Sequence, residues 1–359
     1  MPAIDKSRLK GARRSFVTRR VALEQATRLD LNRTPVAGDI CLARIDNLGH
    51  HSRLELINGR RCTLYRGDEV ILAFAHRYAT DQFESVVPEN LGPCQMVASG
   101  GIASKVLTQH AGARRATQIT PLGILCREDG RALNTSDEAL SVATPLSRRQ
   151  PELITVVGTG MNAGKTRAMN ELVRSFNRYG LRTAAIKITG TGSGRDYWHY
   201  LDAGACAAAD FTDAGHASTV NLTQEELEKI LASLVSACSD CDVIVAEIAD
   251  GLLQRETRIL LESAMLRSMT TSIVLAASDP LAAMGGLRQL TEMRLQPAIV
   301  TGTITKSSLM MREFERFEKT PVLDTVQFSE DERVIPMILR PALWVDNAGQ
   351  KGWQSHATG

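Results

Sequence analysis

The segment Leu153-Ile154-Thr155-Val156-Val157-Gly158-Thr159-Gly160-Met161-Asn162-Ala163-Gly164-Lys165-Thr166 runs from an apolar, strand-like stretch through a glycine-rich turn into a helical pattern. Each residue type has a task in holding a polyphosphate. Glycines let backbone N–H groups curl inward, a lysine places its charge beside the β- and γ-phosphates, and a threonine hydroxyl can ligate Mg²⁺. The helix that follows would aim its positive dipole end at the same phosphates. Thr159 stands where the usual loop has its first glycine, so the spacing counted from Gly158 is G-x-x-x-x-x-G-K-T, one residue longer. The expected nucleotide-binding set is Gly158, Thr159, Gly160, Asn162, Ala163, Gly164, Lys165 and Thr166, with Thr301 in the loop of a later strand.

A carboxylate at the carboxyl end of a buried strand beside such a loop is where a metal ligand or water-orienting base belongs, because ligands bind outside those strand ends. Val243-Ile244-Val245-Ala246-Glu247 supplies Glu247 there. Asp250 follows a turn later, and Asp242 at the strand start reads as structural. The polar stretch from Thr189 to Gly204 holds glycines at 190, 192 and 194, which suggest a flexible loop. Arg195 there can clamp an anionic substrate, and Asp196 and His199 can share a helix face as acid, base or ligand. Thr189, Gly190, Arg195, Asp213 and His216 are the expected substrate residues. A linker followed by an amphipathic helix with inward aromatics is the bland reading of the same stretch.

The long loop spacing resembles that of dethiobiotin synthetase and its relatives, a branch of P-loop proteins that includes amide-forming cobalamin-pathway synthetases and molybdopterin-guanine dinucleotide accessory proteins. The resemblance covers about residues 151–330 as an order of elements. It implies that Lys187, ending the strand-like Thr183–Ile188 run, reaches phosphates and substrate, and that Glu247 with Thr166 holds Mg²⁺. It also implies ATP-dependent phosphoryl transfer to a small-molecule carboxylate or carbamate, a kinase or ligase reaction with Lys165, Lys187, Glu247, Asp196 and His199 as catalytic residues. A looser resemblance reaches a poorly characterised P-loop family linked to amino-acid N-acyl transfer, which keeps acyl-transfer chemistry open. The rival within the same branch is a regulatory or accessory NTPase whose nucleotide state controls a protein partner, with Gly190 to Gly194 as the switch loop. GTP-specific P-loop proteins usually present Asn-Lys-x-Asp after the strand that here ends at Val300. The loop reads Thr301-Gly302-Thr303-Ile304-Thr305-Lys306-Ser307, which favours ATP.

Positioning these residues requires strands alternating with helices, and the apolar runs 153–157, 183–188, 243–246, 273–276, 298–300 and 321–323 supply them. The expected class is α/β: a parallel-sheet P-loop NTPase domain over residues 151–345, preceded by a smaller β-rich barrel or sandwich over 36–147. Short strands at Ile40–Ile45, Leu54–Ile57, Cys62–Tyr65 and Val70–Phe74 carry the second expectation. After Ser99-Gly100-Gly101, a helix-like run is expected through His110. The first 35 residues read as a basic helical or flexible arm, with Lys6, Arg8, Lys10, Arg13, Arg14, Arg19 and Arg20 against Asp5 up to residue 20. Residues 346–359 read as a flexible tail, and Arg148, Arg149, Gln150 and Pro151 as a linker.

The chain has 359 residues with 42 Lys plus Arg against 40 Asp plus Glu, so it is not as a whole an electrostatic binder of nucleic acid or acidic lipid. No apolar run is long enough to cross a bilayer, and the expectation is a cytoplasmic protein. A homodimer is left open by base rate alone. Seven scattered cysteines suit reduced thiols; Cys238 and Cys241 form one C-x-x-C, read as buried apolar filler rather than as a metal or redox site.

Overall fold

The computed structural model describes residues 1–142, 151–330 and 334–339. The expected linker residues Arg148, Arg149 and Gln150, and the expected tail, lie outside them. Two compact units emerge. One takes in Met1–Ala143, Ile188–Trp198 and Ala209–Ala237, the other Thr144–Lys187, His199–Ala208 and Cys238–Gly359. The division differs from one made at sequence boundaries, because two stretches from the second half of the chain belong to the first unit.

In the first unit, strands Ile40–Asn47 (β1), Glu69–Phe74 (β2), Cys94–Ala98 (β3), Ile102–Gln109 (β4) and Thr117–Cys126 (β5) close a ring in the order β2-β1-β5-β3-β4, with β4 returning to β2. The closing pair is parallel and the others antiparallel. Closure satisfies the edge hydrogen bonds that an open sheet would leave exposed. Of the two expected forms, the ring is therefore a barrel. The helix expected after Gly101 is strand β4. Its apolar residues Ile102 and Val106 recur at even spacing, and partners on both sides take up its backbone groups.

Strand β1 is apolar at consecutive positions because both its faces are covered. Cys41, Ala43 and Ile45 join a cluster with Leu72, Phe74, Met96 and Ile119, while Ile40 and Leu42 join a second cluster with Ile71 and Ala73. That second cluster is completed by Ile4, Leu9, Phe16, Val17, Val21, Ala26 and Leu29. The expected basic arm is thus part of the core. Arg8 and Arg13 pair with Glu69 and Asp68, Arg14 donates to the carbonyls of Thr18, Arg19 and Val21, and the apolar residues between them pack inward. Only Lys6–Gly11 is α-helical there, and Arg28–Asp30 pairs with β5.

The second unit is built on a six-stranded sheet of Glu152–Gly158 (β6), Thr183–Lys187 (β7), Ala207–Asp210 (β8), Val243–Glu247 (β9), Thr270–Ala276 (β10) and Ile299–Thr301 (β11). The order is β8-β7-β9-β6-β10-β11, and the pairs from β7 to β11 are parallel. Helix α1, Lys165–Arg178, packs Ala168, Met169, Leu172, Val173 and Phe176 into the core beneath β6 and β9. The stretch expected as a strand at Pro321 to Leu323 makes one bridge, Val322 to Val300. Among the described residues, no helix is long and apolar enough to cross a membrane.

His51 in the first unit packs edge-on against His50 and Phe83, with its Nε2 3.1 Å from Arg77 Nη1. Burial, then the Arg77 charge and His50, lower its pKa to about 3. Two outcomes follow. Phe16→Ala should destabilise the protein by about 3–5 kcal/mol in urea unfolding, whereas a loss under 1 kcal/mol would restore the exposed-arm reading. Because the unfolded imidazole takes its proton near pH 6.5 and the folded one near 3, stability should fall as pH drops through that window. His51 contributes at most about 1.4 kcal/mol per pH unit to that fall, and His51→Gln should flatten the profile.

Candidate functional site

At the end of β6 the chain turns through Gly158 to Gly164 and enters α1 at Lys165. Thr159 N–H donates to Ala276 O at 2.9 Å and Leu252 N–H to Gly158 O at 3.0 Å, which pins the start of the loop. Asn162 and Gly164 take positive φ values of 48° and 103°. Gly302, just beyond β11, lies against the far side of the loop. A Cβ at that position would sit 2.2 Å from Ala163 O, so only glycine admits the contact. Lys165 is 6% exposed, and its ammonium donates to Gly160 O at 2.9 Å and to Asp250 O.

The carboxylate of Glu247 is the centre of the site. It is 2% exposed and closes β9 between two register partners, Lys187 at the end of β7 and Val156 in β6. Lys187 Nζ lies 3.5 Å from Oε1. Tyr200 OH donates to Oε2 at 2.7 Å, and Thr166 Oγ1 donates to the same oxygen at 3.4 Å. The strand ends, the first turn of α1 and a later helix thereby bring two cations, two hydroxyls and one carboxylate beside a glycine loop. A strand, an anion-cradling loop with its lysine and hydroxyl, and a helix opening on that loop define a P-loop nucleotide-binding fold. The hydroxyl of Thr166 and the carboxylate of Glu247 are hard oxygen donors of the kind Mg²⁺ takes.

The expected residues Lys165, Thr166, Lys187 and Glu247 lie together here, and Tyr200 is an addition that the sequence reading does not contain. Tyr200 is 1% exposed on the helix Gly194–Asp202 (α2) and packs into the same core as Val245. The available signal was an aromatic residue with a polar tip on the buried face of a short helix, since a buried tyrosine hydroxyl requires a partner. Asp242 is structural as expected: its carboxylate accepts from Arg182 N at 2.8 Å. Asp279 caps the helix Pro280–Glu292, accepting from Ala282 N at 2.9 Å. Thr301 is fully buried and donates its hydroxyl to Leu323 O at 2.8 Å, so it is Gly302 rather than the Thr301 side chain that meets the phosphate loop.

The expected substrate residues Thr189, Gly190, Arg195, Asp213 and His216 all fall in the first unit, where the stretch from Gly190 to Gly192 pairs with Ala217 to Thr219. Asp213 is held in the first unit by the Arg19 guanidinium at 2.5 Å and by Asp210 N at 3.0 Å. Burial and the neighbouring Asp210 charge push its carboxyl above the usual range. Arg19 also meets Asp210 at 3.1 Å and lies 4.0 Å from the centre of the Phe16 ring, so Asp213 is occupied in a buried ion-pair cluster. His216 sits in the turn after it, its pKa lowered by burial. Thr189 is buried, and Gly190 N–H donates to Thr219 Oγ1 at 2.9 Å. Gly192 is a packing glycine: a Cβ there would stand 2.3 Å from Val17 Cγ1. Arg195 is exposed, and Asp196 and His199 are partly exposed on α2. Among the described residues, no group of three or more His, Cys, Asp or Glu side chains is placed to hold a metal ion.

A cavity of 460 Å³ opens beside Thr159, lined by Leu252, Leu253, Gly286, Arg288 and Gln289 among others, a size suited to a small ligand. A larger one, 1170 Å³, lies at the amino ends of β10 and β11 against Thr271, Ser272 and Ala298, away from the phosphate loop.

No protein-family model and no curated protein sequence matches the chain. Among solved structures it is similar to the signal recognition particle receptor FtsY from Elizabethkingia anophelis in complex with GDP, at 15% identity and a TM-score of 0.31 over 46% of this chain and 53% of that one. It is also similar to the chloroplast FtsY of Physcomitrella patens, at 15% identity and a TM-score of 0.31 over 47% and 55%. The 54 kDa signal recognition particle protein of Aeropyrum pernix K1 in complex with GDP matches at 17% identity and 0.35 over 60% and 51%. The chain spans about half the length of these structures. Likeness at this level says nothing of activity, and the class rests on this chain's own strand, loop and helix.

Removing the hydroxyl that holds Glu247 should loosen the carboxylate without removing it. Tyr200→Phe is expected to raise the Mg²⁺ concentration needed for nucleotide binding by about tenfold, read by titration with a fluorescent nucleotide. The same variant should lose about 1–3 kcal/mol of stability. An unchanged Mg²⁺ requirement would remove Tyr200 from the site.

Proposed function

We propose that this chain is an ATP- and Mg²⁺-dependent enzyme of the dethiobiotin synthetase-like kind, transferring the γ-phosphoryl group to a small-molecule carboxylate or carbamate in a kinase or ligase reaction. The observation that supports it is the gathering of Lys165, Thr166, Lys187 and Glu247 at the carboxyl ends of adjacent strands around the glycine loop. Phosphoryl transfer asks a protein for positioning and charge neutralisation more than for covalent chemistry. The loop amides and Lys165 would hold the β- and γ-phosphates, and Lys187 would stand where the transferred group meets its acceptor. Mg²⁺, held by Thr166 and Glu247, would supply further neutralisation of the phosphate oxygens. In this reading Glu247 orients Lys187 and keeps its charge beside the reacting group, while Tyr200 fixes Glu247.

Thr189, Gly190, Arg195, Asp196 and His199 are proposed as acceptor residues on the strength of the sequence pattern. Asp213 and His216 would contribute by shaping their loop. The absence of an Asn-Lys-x-Asp sequence after β11 supports ATP over GTP.

Phosphate release from Mg-ATP and Mg-GTP in parallel, with and without a pooled metabolite extract, tests the proposal. Turnover should depend on ATP and rise with the extract, and Lys165→Ala should lower it by about 100-fold or more while leaving the thermal midpoint unchanged. Near-normal turnover in Lys165→Ala would sink the assignment. Slow turnover indifferent to metabolites would transfer it to an accessory NTPase answering to a protein partner.

A further inference from the structure

The C-x-x-C of Cys238 and Cys241 is not the close pair in the fold. Cys241 Sγ lies 2.8 Å from Cys206 Sγ, a residue distant in sequence, inside the contact distance of two unbonded sulfurs. A short shift separates that contact from the roughly 2.05 Å of an S–S bond. Both residues belong to the second unit and flank the point where strand β7 begins. Cys206 N–H donates to Thr183 O at 2.8 Å, and Asp242, next to Cys241, is held by Arg182 N. Cys206 is exposed and Cys241 half-buried, whereas Cys238 is buried. The chain leaves the second unit after Ala208 and re-enters it at Cys238, so the two thiols stand at the neck of the Ala209–Ala237 excursion.

We infer that Cys206 and Cys241 form a reversible dithiol–disulfide site that reacts with low-molecular-weight disulfides and ties that neck closed. The exposed Cys206 thiolate attacks one sulfur of the small disulfide, forming a mixed disulfide and releasing one small thiolate. Cys241 then gives its proton to solvent and attacks the Cys206 sulfur, forming the Cys206–Cys241 bond and expelling the second small thiolate. Two protein thiols are oxidised by two electrons, and one small disulfide is reduced to two thiols. Cys206 attacks first because it is reachable. Burial, with the neighbouring Cys206 and Cys238 sulfurs, pushes the Cys241 thiol well above its ordinary range, which suits it to the resolving step. The bond would lie at the amino ends of the strands, opposite the phosphate loop. Its main effect is therefore on the stability of the excursion rather than on Glu247.

The test equilibrates the full chain with oxidised and reduced glutathione, traps free thiols by alkylation and maps the peptides by mass spectrometry. The expected result is a Cys206–Cys241 linked peptide that dithiothreitol reverses, with the oxidised protein melting about 5 °C or more above the reduced one. Cys206→Ser should abolish both the link and the shift, and Cys241→Ser should stop at a glutathione adduct on Cys206. A Cys238–Cys241 link, glutathione adducts without an internal bond, or zinc co-purifying with the protein and protecting both thiols would each overturn the inference. The wild-type map decides the matter even if a variant fails to fold.

Discussion

A carboxylate with 2% of its surface exposed is the constraint around which the second unit is arranged. An isolated charge in such a place costs several kcal/mol, and it is tolerated only when cations and donors surround it. Glu247 receives one cation and two hydroxyls, each from a different element: Lys187 from β7, Thr166 from α1 and Tyr200 from α2. The parallel register follows from this need. A slip of β7 by one residue against β9 would send Lys187 to the opposite face and leave the carboxylate with hydroxyls alone. The phosphate loop inherits its position from the same alignment, because β6 is the other register neighbour of Glu247.

What was legible in the sequence was what neighbouring residues decide among themselves. The loop from Gly158 to Thr166 is local, and its glycines, lysine and threonine carry their roles in order. Glu247 was legible because it ends an uninterrupted apolar run, and a charged residue in that position must lie at a strand end, whereas Lys187 was expected only from the resemblance to dethiobiotin synthetase. Tyr200 was hidden because its role depends on which face of α2 is covered, and distant packing decides that. Ala207–Asp210 escaped notice as a strand because alanine has no preference for extended backbone, and only its place beside β7 makes it one.

The N-terminal residues misled for a different reason. Seven basic residues in the first twenty dominate a composition count, yet Ile4, Leu9, Phe16 and Val17 between them bury themselves against β1 and β2. Charge density does not entail exposure, because long cationic side chains reach solvent from a backbone whose neighbours are buried. The need for cover comes from the barrel. With apolar residues on both faces of β1, something must lie over the outer one, and the first thirty residues are what does so.

The glycines after Lys187 suggested a flexible loop able to respond to a nucleotide, and the packing gives them another purpose. Gly192 N–H donates to Ala217 O at 2.9 Å, and a side chain on Gly192 would collide with Val17. Gly194 N–H donates at 2.7 Å to Glu55, a buried carboxylate that also accepts from Ser193 and Ser99. These glycines are small because their neighbours are close, and the loop they form is held within the first unit by a second buried carboxylate. Movement of this loop would break the Gly194 and Ser193 bonds to Glu55, leaving that carboxylate to Ser99 and to the Arg61 guanidinium 3.6 Å away. The Gly194 and Ser193 bonds thereby hold the start of α2 within the first unit, and the glycines are there for packing and hydrogen bonding rather than for looseness.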